Sequence, residues 1–223
     1  FEPPYVPRRF SPSDPRMSHT KTLILATHNR HKVEELSAAL GKLRIDIRTL
    51  DAFPQVGEIE ETGKTLLENA LLKARTVHQL TGLPAIADDT GLEVDALDGA
   101  PGVYSARYAG ENVSYADNVN KMLFELKGIE DQKRSAKFRT VIAFVSSKKE
   151  LWVEGFIQGF ISQSPTGKRG FGYDPIFYVP ELKKTFAELT GEEKNEISHR
   201  GLALKKIVKK LKNEFQPKGK ESE

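Results

Sequence analysis

The sequence predicts an α/β fold built on a mixed β-sheet. Three observations carry this. Short apolar segments interleave with stretches of helical periodicity, the alternation between them is not strict, and two long strand-type segments, FRTVIAFVSS and ELWVEGFIQGFIS, follow each other in mid-chain. Both are rich in β-branched and aromatic residues. Consecutive strands of this kind pair antiparallel, so a purely parallel sheet is excluded. No internal repeat is visible.

The elements follow in order. TLILAT (22–27) reads as a short buried strand. Val33, Leu36, Leu40 and Leu43 then repeat at three- and four-residue intervals, which predicts a helix. RIDIRTL alternates Ile45 and Ile47 with polar neighbours, an edge-like strand. Thr65 and Glu68 have capping-box spacing ahead of Leu67, Leu71, Ala74 and Val77, and Ser114 with Asp117 marks another helix start. LPAIADDTGLEVDAL is expected to form two brief apolar segments around an acidic turn. Pro175 to Tyr178 is a further short strand, and a last helix begins near Ser198 and runs through Leu202, Ile207 and Leu211.

The composition narrows the function classes. A chain of 223 residues can bury a core as one large domain or two joined lobes, and 38% hydrophobic with 29% charged residues is a globular mixture. No apolar stretch approaches the roughly 20 residues a membrane helix needs, so no membrane partner is expected. The net charge of +3 is a small difference between 34 basic and 31 acidic residues, and gives no argument for nucleic acid. With no cysteine there are no thiolate metal sites or disulfides, which fits a reducing compartment, and a cytoplasmic location is expected. FEPPYVPRRFSPSDPR carries five prolines and no signal-peptide core, so residues 1–20 are expected to be a disordered leader, with Met17 a candidate natural start. Residues 213–223 are expected to form a flexible tail.

Three motifs are decoys. Gly63-Lys64-Thr65 resembles the end of a phosphate-binding loop, but Glu58 stands where the first glycine belongs, and Glu60 and Glu61 would repel phosphate. Asp89-Thr90-Gly91 matches one half of an aspartic protease site. The chain has no second copy, so only a dimeric version stays open, and it leaves Asp88 unexplained. Gly170-Phe171-Gly172 begins like a dinucleotide loop, but Pro175 occupies the third glycine position.

The remaining polar residues suggest phosphate chemistry. Thr27-His28-Asn29-Arg30-His31-Lys32 lies between a strand end and a helix start, where amides and the helix dipole favour an anion and Lys32 can reach a phosphate. An ordinary capped turn with a solvated lysine would use the same letters. Glu60 and Glu61 precede a helix, and Asp88 and Asp89 are read as ending an apolar strand. Carboxylates at element ends beside a phosphate loop suit Mg²⁺. A solvated acidic turn explains the glutamates equally well; the aspartates are harder to explain, because adjacent carboxylates after a buried strand repel each other without a cation. In GFGYDP (170–175), aromatics between glycines could stack on a base, with Asp174 for polar contacts, or could simply cap a core. In EKNEISHRG, Arg200 presents donors only, so it can bind a purine 6-oxo group and has nothing to offer a 6-amino group. The lysines at 205, 206, 209, 210 and 212 are better explained as the solvated side of an amphipathic helix than as a nucleic-acid surface, although a binding module without turnover stays open.

Together, ILATHNRHKVEEL, EETGKTLLENALLKA, LPAIADDTGLEVDALDGAPGVYSARYAG, GFGYDPIF and AELTGEEKNEISHRG resemble the inosine triphosphate pyrophosphatase family, in the family's order and over most of the chain from Thr22 to Leu211. The resemblance implies an elongated mixed sheet with flanking helices forming two lobes around a central cleft, as one domain over 21–212, and a homodimer. It implies Mg²⁺-dependent hydrolysis of non-standard purine nucleoside triphosphates (ITP, dITP, XTP) to monophosphate and pyrophosphate. By matching positions, Thr27, His28, Asn29, Arg30, His31 and Lys32 would hold the triphosphate, Asn29 and Lys32 foremost. Glu60 and Asp89 would bind Mg²⁺, with Asp89 also the general base. Thr90, Phe171, Gly172, Tyr173, Asp174, Lys194, His199 and Arg200 would contact the nucleotide. Thr90 stands where the family often has serine, and His28 and Arg169 where it commonly has small residues.

Overall fold

In the computed structural model, which describes residues 21–215, the first strand, β1 (Thr22–Leu25), is buried and leads into α1 (Arg30–Leu40). The edge strand β2 (Asp46–Thr49) follows, then α2 (Leu66–Thr81). The Thr65–Glu68 capping box opens α2 with both reciprocal bonds made, and Gly82 closes it in the left-handed region (φ 69°), a conformation glycine adopts without a steric penalty. Next come β3 (Ala85–Val94), the short β4 (Pro101–Gly102) and α3 (Tyr115–Glu125), which opens on the Ser114–Asp117 capping box. The two long strands are β5 (Ser135–Val145) and β6 (Glu150–Ile161), followed by β7 (Phe177–Val179), β8 (Lys184–Thr185), α4 (Gly191–Ile197) and α5 (His199–Phe215).

The strands form one mixed sheet in the order β2-β1-β3-β5-β6-β7-β8, with β4 paired to β3. β1 runs parallel to β2 and β3, whereas β3–β5 and β5–β6 are antiparallel, as expected for the two long strands. The acidic turn expected within LPAIADDTGLEVDAL is absent. β3 continues through it, with Asp88 opposite Ile142, Asp89 opposite Val141, Thr90 opposite Thr140 and Gly91 opposite Arg139. The eleven-residue partner strand supplies a full ladder of hydrogen bonds, and this outweighs the weak strand propensity of aspartate and glycine. The two aspartates therefore lie inside a strand and do not end one.

Alternation along β3 and β5 sorts the core. On one face, Ile86, Ile142 and Phe144 pack with Leu36 and Leu40 of α1 and with Ala203, Ile207 and Leu211 of α5. Further along the same face, Leu92, Val94 and Phe138 join Met122 of α3 and Phe177 and Phe186. The opposite face packs Ala87, Val141 and Ala143 against Ala70, Ala74 and Val77 of α2. Between the first two clusters, the strands carry Asp88, Thr90 and Thr140 in place of apolar side chains. The site forms at this polar interruption, where the two ends of the sheet meet. The leader expected over 1–20 and the tail end 216–223 lie outside the described residues. Among the described residues no helix is long and apolar enough to cross a membrane.

Candidate active site

A cavity of about 330 Å³ opens at this interruption. Consecutive residues on a strand point to opposite faces, so Asp88 and Asp89 do not confront each other. Asp89 faces α2, where Asn69 Nδ2 donates to its Oδ2 at 3.2 Å and Lys73 Nζ to its Oδ1 at 3.2 Å. Asp88 faces α1 and α5, where its Oδ2 receives Arg200 Nε at 3.1 Å and lies 3.2 Å from Lys32 Nζ. This geometry gives each carboxylate its own cations, which offsets the repulsion expected between neighbours, and Asp88 still adds a small upward push to Asp89.

The two carboxyls titrate in opposite directions. Burial pushes Asp88 up, but Lys32 and Arg200 outweigh it and hold the group well below the usual carboxylate range. Burial raises Asp89 above its ordinary value; Lys73 opposes this and Glu61 adds to it. Lys73 is itself pulled down by burial but ends raised, because Asp89 and Glu61 flank it. For Lys32, burial dominates and lowers the ammonium.

Glu61 lines the cavity and bonds Lys73 at 2.5 Å, so Asp89 and Glu61 converge on one ammonium. Glu60, the residue expected as a metal ligand, is exposed and stands outside the cavity wall. The donor set suits Mg²⁺: two hard carboxylates at one end of a cavity, leaving further positions to phosphate oxygens and water. Among the described residues no group of three or more His, Asp or Glu side chains forms a cage of its own.

The segment before α1 is a capped turn as well as part of the site. Asn29 Oδ1 accepts from the amides of His31 and Lys32, so those amides are already engaged. Two side-chain donors also line the cavity here: Lys32 Nζ, paired with Asp88, and Asn29 Nδ2, which donates to Tyr115 Oη at 3.3 Å. Thr27 and His28 also line the cavity; Thr27 Oγ1 accepts from the Asn29 amide, and His28 Nε2 sits 3.2 Å from the Gly57 carbonyl. Arg30 and His31 point to solvent and lie outside this wall. The His31 ring nevertheless stacks on Phe171, centroids 4.7 Å apart and nearly parallel.

At the other end, Gly170 and Gly172 take positive φ (74° and 62°) and turn the GFGYD loop toward the cavity. Asp174 closes the turn by accepting the Phe171 amide at 2.8 Å, and Lys194 Nζ of α4 bonds its Oδ2 at 2.6 Å. Burial raises the Asp174 carboxyl against the pull of Lys194. Lys194 Nζ and Arg200 Cζ lie over the Phe171 ring, 5.0 and 5.5 Å from its centroid. Tyr173 plays a different part from Phe171: it is buried in the core and donates its hydroxyl to the Ser105 carbonyl at 2.9 Å. His199 stacks on Phe138 (4.5 Å) and is held neutral by burial, with Arg200 and Lys194 adding to the shift. Its Nδ1 is buried with no protein partner.

Sequence reasoning missed Lys73, Asn69, Thr140 and Glu35. Two of these had a signal. Asn69 and Lys73 share the helical stripe of Ala70, Ala74 and Val77, and polar residues on a buried stripe need partners. Thr140 sits at a core-facing strand position, and its Oγ1 is 2.6 Å from that of Thr90. Glu35 falls one helical turn after Lys32 and accepts Arg200 Nη1 at 2.7 Å, a pairing 165 residues apart that no local pattern marks.

The chain has relatives close in sequence and in fold. A dITP/XTP pyrophosphatase of Thermoanaerobacter pseudethanolicus is 51% identical over 185 residues, covering 83% of this chain and 93% of that protein. One from Photorhabdus laumondii is 50% identical over 194 residues, covering 86% and 98%. The solved structure of a HAM1 protein from Coxiella burnetii superposes with a TM-score of 0.80 at 46% identity, covering 86% of this chain and 98% of that one. The Ham1 family model matches residues 23–210, which include every residue lining the cavity, from Ala26 to Arg200. By sequence and by fold, this chain belongs to the Ham1 family.

Proposed function

We propose that this protein is a nucleoside triphosphate pyrophosphatase that hydrolyses inosine, deoxyinosine and xanthosine triphosphates to the monophosphate and pyrophosphate, with Mg²⁺ as cofactor. One observation carries the reading: a single cavity has a carboxylate pair at one end and an aromatic face with fixed cations at the other. That is the polarity of a site that cleaves a phosphoanhydride while holding a base. The pyrophosphatase relatives support the same reaction.

Asp89 and Glu61 would hold the metal, with the expected ligand Glu60 outside the cavity wall. When bound, Mg²⁺ supplies charge neutralisation to the phosphate oxygens. The chain's own residues do the rest. Lys32 and Asn29 Nδ2 bind phosphate oxygens and orient the α-phosphorus. Asp89, raised by burial into a more basic carboxylate, takes a proton from a water whose oxygen bonds to the α-phosphorus. The bond from that phosphorus to the oxygen bridging the β-phosphate breaks, and pyrophosphate leaves with the electron pair.

At the far end, Phe171 offers a stacking face, and Arg200 with Lys194 offers donors that suit a 6-oxo purine. A 6-amino group would leave those donors unpaired, which disfavours adenine. His199 Nδ1, buried and unpartnered, is available to the same ligand. A homodimer is part of the proposal, because β6 leaves Trp152 and Phe156 about half exposed beside Arg139 and Glu154, a surface of mixed charge that can meet its own copy. A cytoplasmic location is proposed with it.

The test is pyrophosphate release from inosine, xanthosine, adenosine and guanosine triphosphates, with Mg²⁺ and with excess chelator. Mg²⁺-dependent release from the first two is expected. Orthophosphate with a nucleoside diphosphate as products would refute the reaction; release that survives the chelator would refute the cofactor.

A further inference from the structure

Asn69 stands in the first turns of α2, fully buried, and does not line the cavity. Asparagine is a poor helix former, and a buried amide is retained where its polar atoms have partners. Its Nδ2 donates to Asp89 Oδ2 at 3.2 Å, and its Oδ1 accepts the Gly63 amide at 2.7 Å. A backbone N–H on one side and a carboxylate on the other demand one acceptor and one donor, which the carboxamide supplies. Gly63 is shaped for the same contact. A Cβ there would lie 2.5 Å from Asn69 Oδ1 and 2.7 Å from Glu68 Cβ, so the loop comes this close to α2 only without a side chain at 63.

Both oxygens of Asp89 are therefore held from α2, Oδ2 by Asn69 and Oδ1 by Lys73 one helical turn on. Lys73 also bonds Glu61, so the loop that carries Glu61 is tied to the helix at two points, Glu61 through Lys73 and Gly63 through Asn69. The capping-box Glu68 takes the next two amides, those of Lys64 and Thr65, and leaves Gly63 to Asn69. The two ties differ in charge. The Lys73 ammonium is repelled when a divalent cation enters between the same carboxylates, whereas the neutral amide keeps both of its bonds.

We infer that Asn69 is a positioning residue for the metal end of the cavity: by bridging Gly63 and Asp89 it fixes the Glu61 loop against β3, so that Glu61 and Asp89 stay aimed at one cation. The inference rests on the reading above that Asp89 and Glu61 hold the metal. Two carboxylates on separate segments repel each other, and with the loop free they would drift apart before a cation arrives. Asn69 removes that freedom in advance, so less of the binding energy is spent on ordering the loop.

The experiment titrates the full chain, free of nucleotide, with Mn²⁺, which suits the same oxygen ligands as Mg²⁺, and follows the free ion by electron paramagnetic resonance. Site binding is the part lost in Glu61→Gln. Asn69→Ala should raise the Mn²⁺ dissociation constant by about tenfold, the order for an outer partner of a metal ligand, and should speed hydrogen exchange at the Gly63 amide. Gly63→Ala pushes the same loop away with Asn69 intact, so it should weaken Mn²⁺ binding to a similar degree; it also serves alone if Asn69→Ala does not fold. Val77→Ala, on the same buried stripe of α2 but outside the cavity wall, is the stability control. It should lower the urea midpoint and leave both Mn²⁺ binding and Gly63 exchange at the parent's values. Parent-like Mn²⁺ binding in Asn69→Ala or Gly63→Ala would overturn the inference, as would an equal weakening in Val77→Ala. Mn²⁺ binding by the parent that is indifferent to Glu61→Gln would overturn the metal assignment itself, and this role with it.

Discussion

Asp88 and Asp89 are consecutive in the chain, yet their carboxylates stand on opposite faces of β3 and answer to different helices. Asp88 is an internal anion for Lys32 and Arg200, and Asp89 is the raised carboxyl at the cavity. The two asparagine variants should therefore fail in different ways. Asp89→Asn should lower turnover by roughly 10²–10⁴, with folding stability held within about 1 kcal/mol, because an amide avoids the burial penalty that raises the acid. Asp88→Asn should cost about 3 kcal/mol of stability, since it leaves two buried cations short of an anion. Urea unfolding beside single-turnover kinetics separates them. Matching stability losses would refute the division of labour.

The same burial makes the fold acid-sensitive from a high starting pH. The His199 pKa is well below its ordinary 6.5, chiefly through burial. As pH falls below 6.5, the unfolded chain takes up a proton at this position and the folded chain does not, so stability drops until the folded pKa is reached. Asp88, depressed by its cations, adds a second loss as pH falls below its ordinary 3.8. Asp89, raised, acts in the opposite sense over its own interval above 3.8, where the folded form protonates first. Urea midpoints should decline between pH 6.5 and 5 in the parent and stay nearly flat in His199→Gln. A parent profile that is flat over this range would contradict the neutral, buried assignment.

The metal end yields a comparison between neighbours. Glu61 faces the cavity beside Asp89, and Glu60 faces solvent. Glu61→Gln should raise the Mg²⁺ concentration for half-maximal activity by about tenfold, the order of one lost carboxylate ligand or its support. Glu60→Gln should shift it less than about twofold. Titration of activity with Mg²⁺ decides this, and the reverse ranking would restore Glu60 as the ligand.

Much of this architecture is legible in the sequence because its signals are local. The Thr65–Glu68 and Ser114–Asp117 boxes start helices where their letters stand, and the β5–β6 pair follows from two adjacent apolar runs. What was not legible depends on distance. β3 reads as broken at Asp88-Asp89-Thr90-Gly91 because strand propensity fails there, and the strand is kept by register with β5 some fifty residues on. α4 escapes because seven residues hold too little periodicity, though its Thr190–Glu193 capping box is in the letters. The site follows the same rule. Lys32, Asp89 and Arg200 stand in recognisable segments, whereas the Glu35 and Lys73 contacts exist only after α1, α2 and α5 have docked on the sheet.

The docking of α5 rests on one missing side chain. At Gly155 of β6, a Cβ would lie 2.2 Å from the His199 carbonyl oxygen and 2.6 Å from the Ala203 amide nitrogen, both backbone atoms that cannot swing aside. The first turn of α5, which carries His199 and Arg200, therefore sits directly on the strand. Gly155→Ala must lift that turn by an ångström or so. It should cost about 1–3 kcal/mol, and because Arg200 moves with the helix, the preference for inosine over adenosine triphosphate should fall along with stability. Gly128→Ala is the control: it too concerns a glycine, with φ 82° and nothing within 4 Å of its added Cβ, so it strains the backbone at a residue that does not line the cavity. It should reduce stability while leaving the substrate ratio unchanged. A Gly155 variant that loses stability but keeps full discrimination would show that the reading group does not depend on how closely α5 approaches β6.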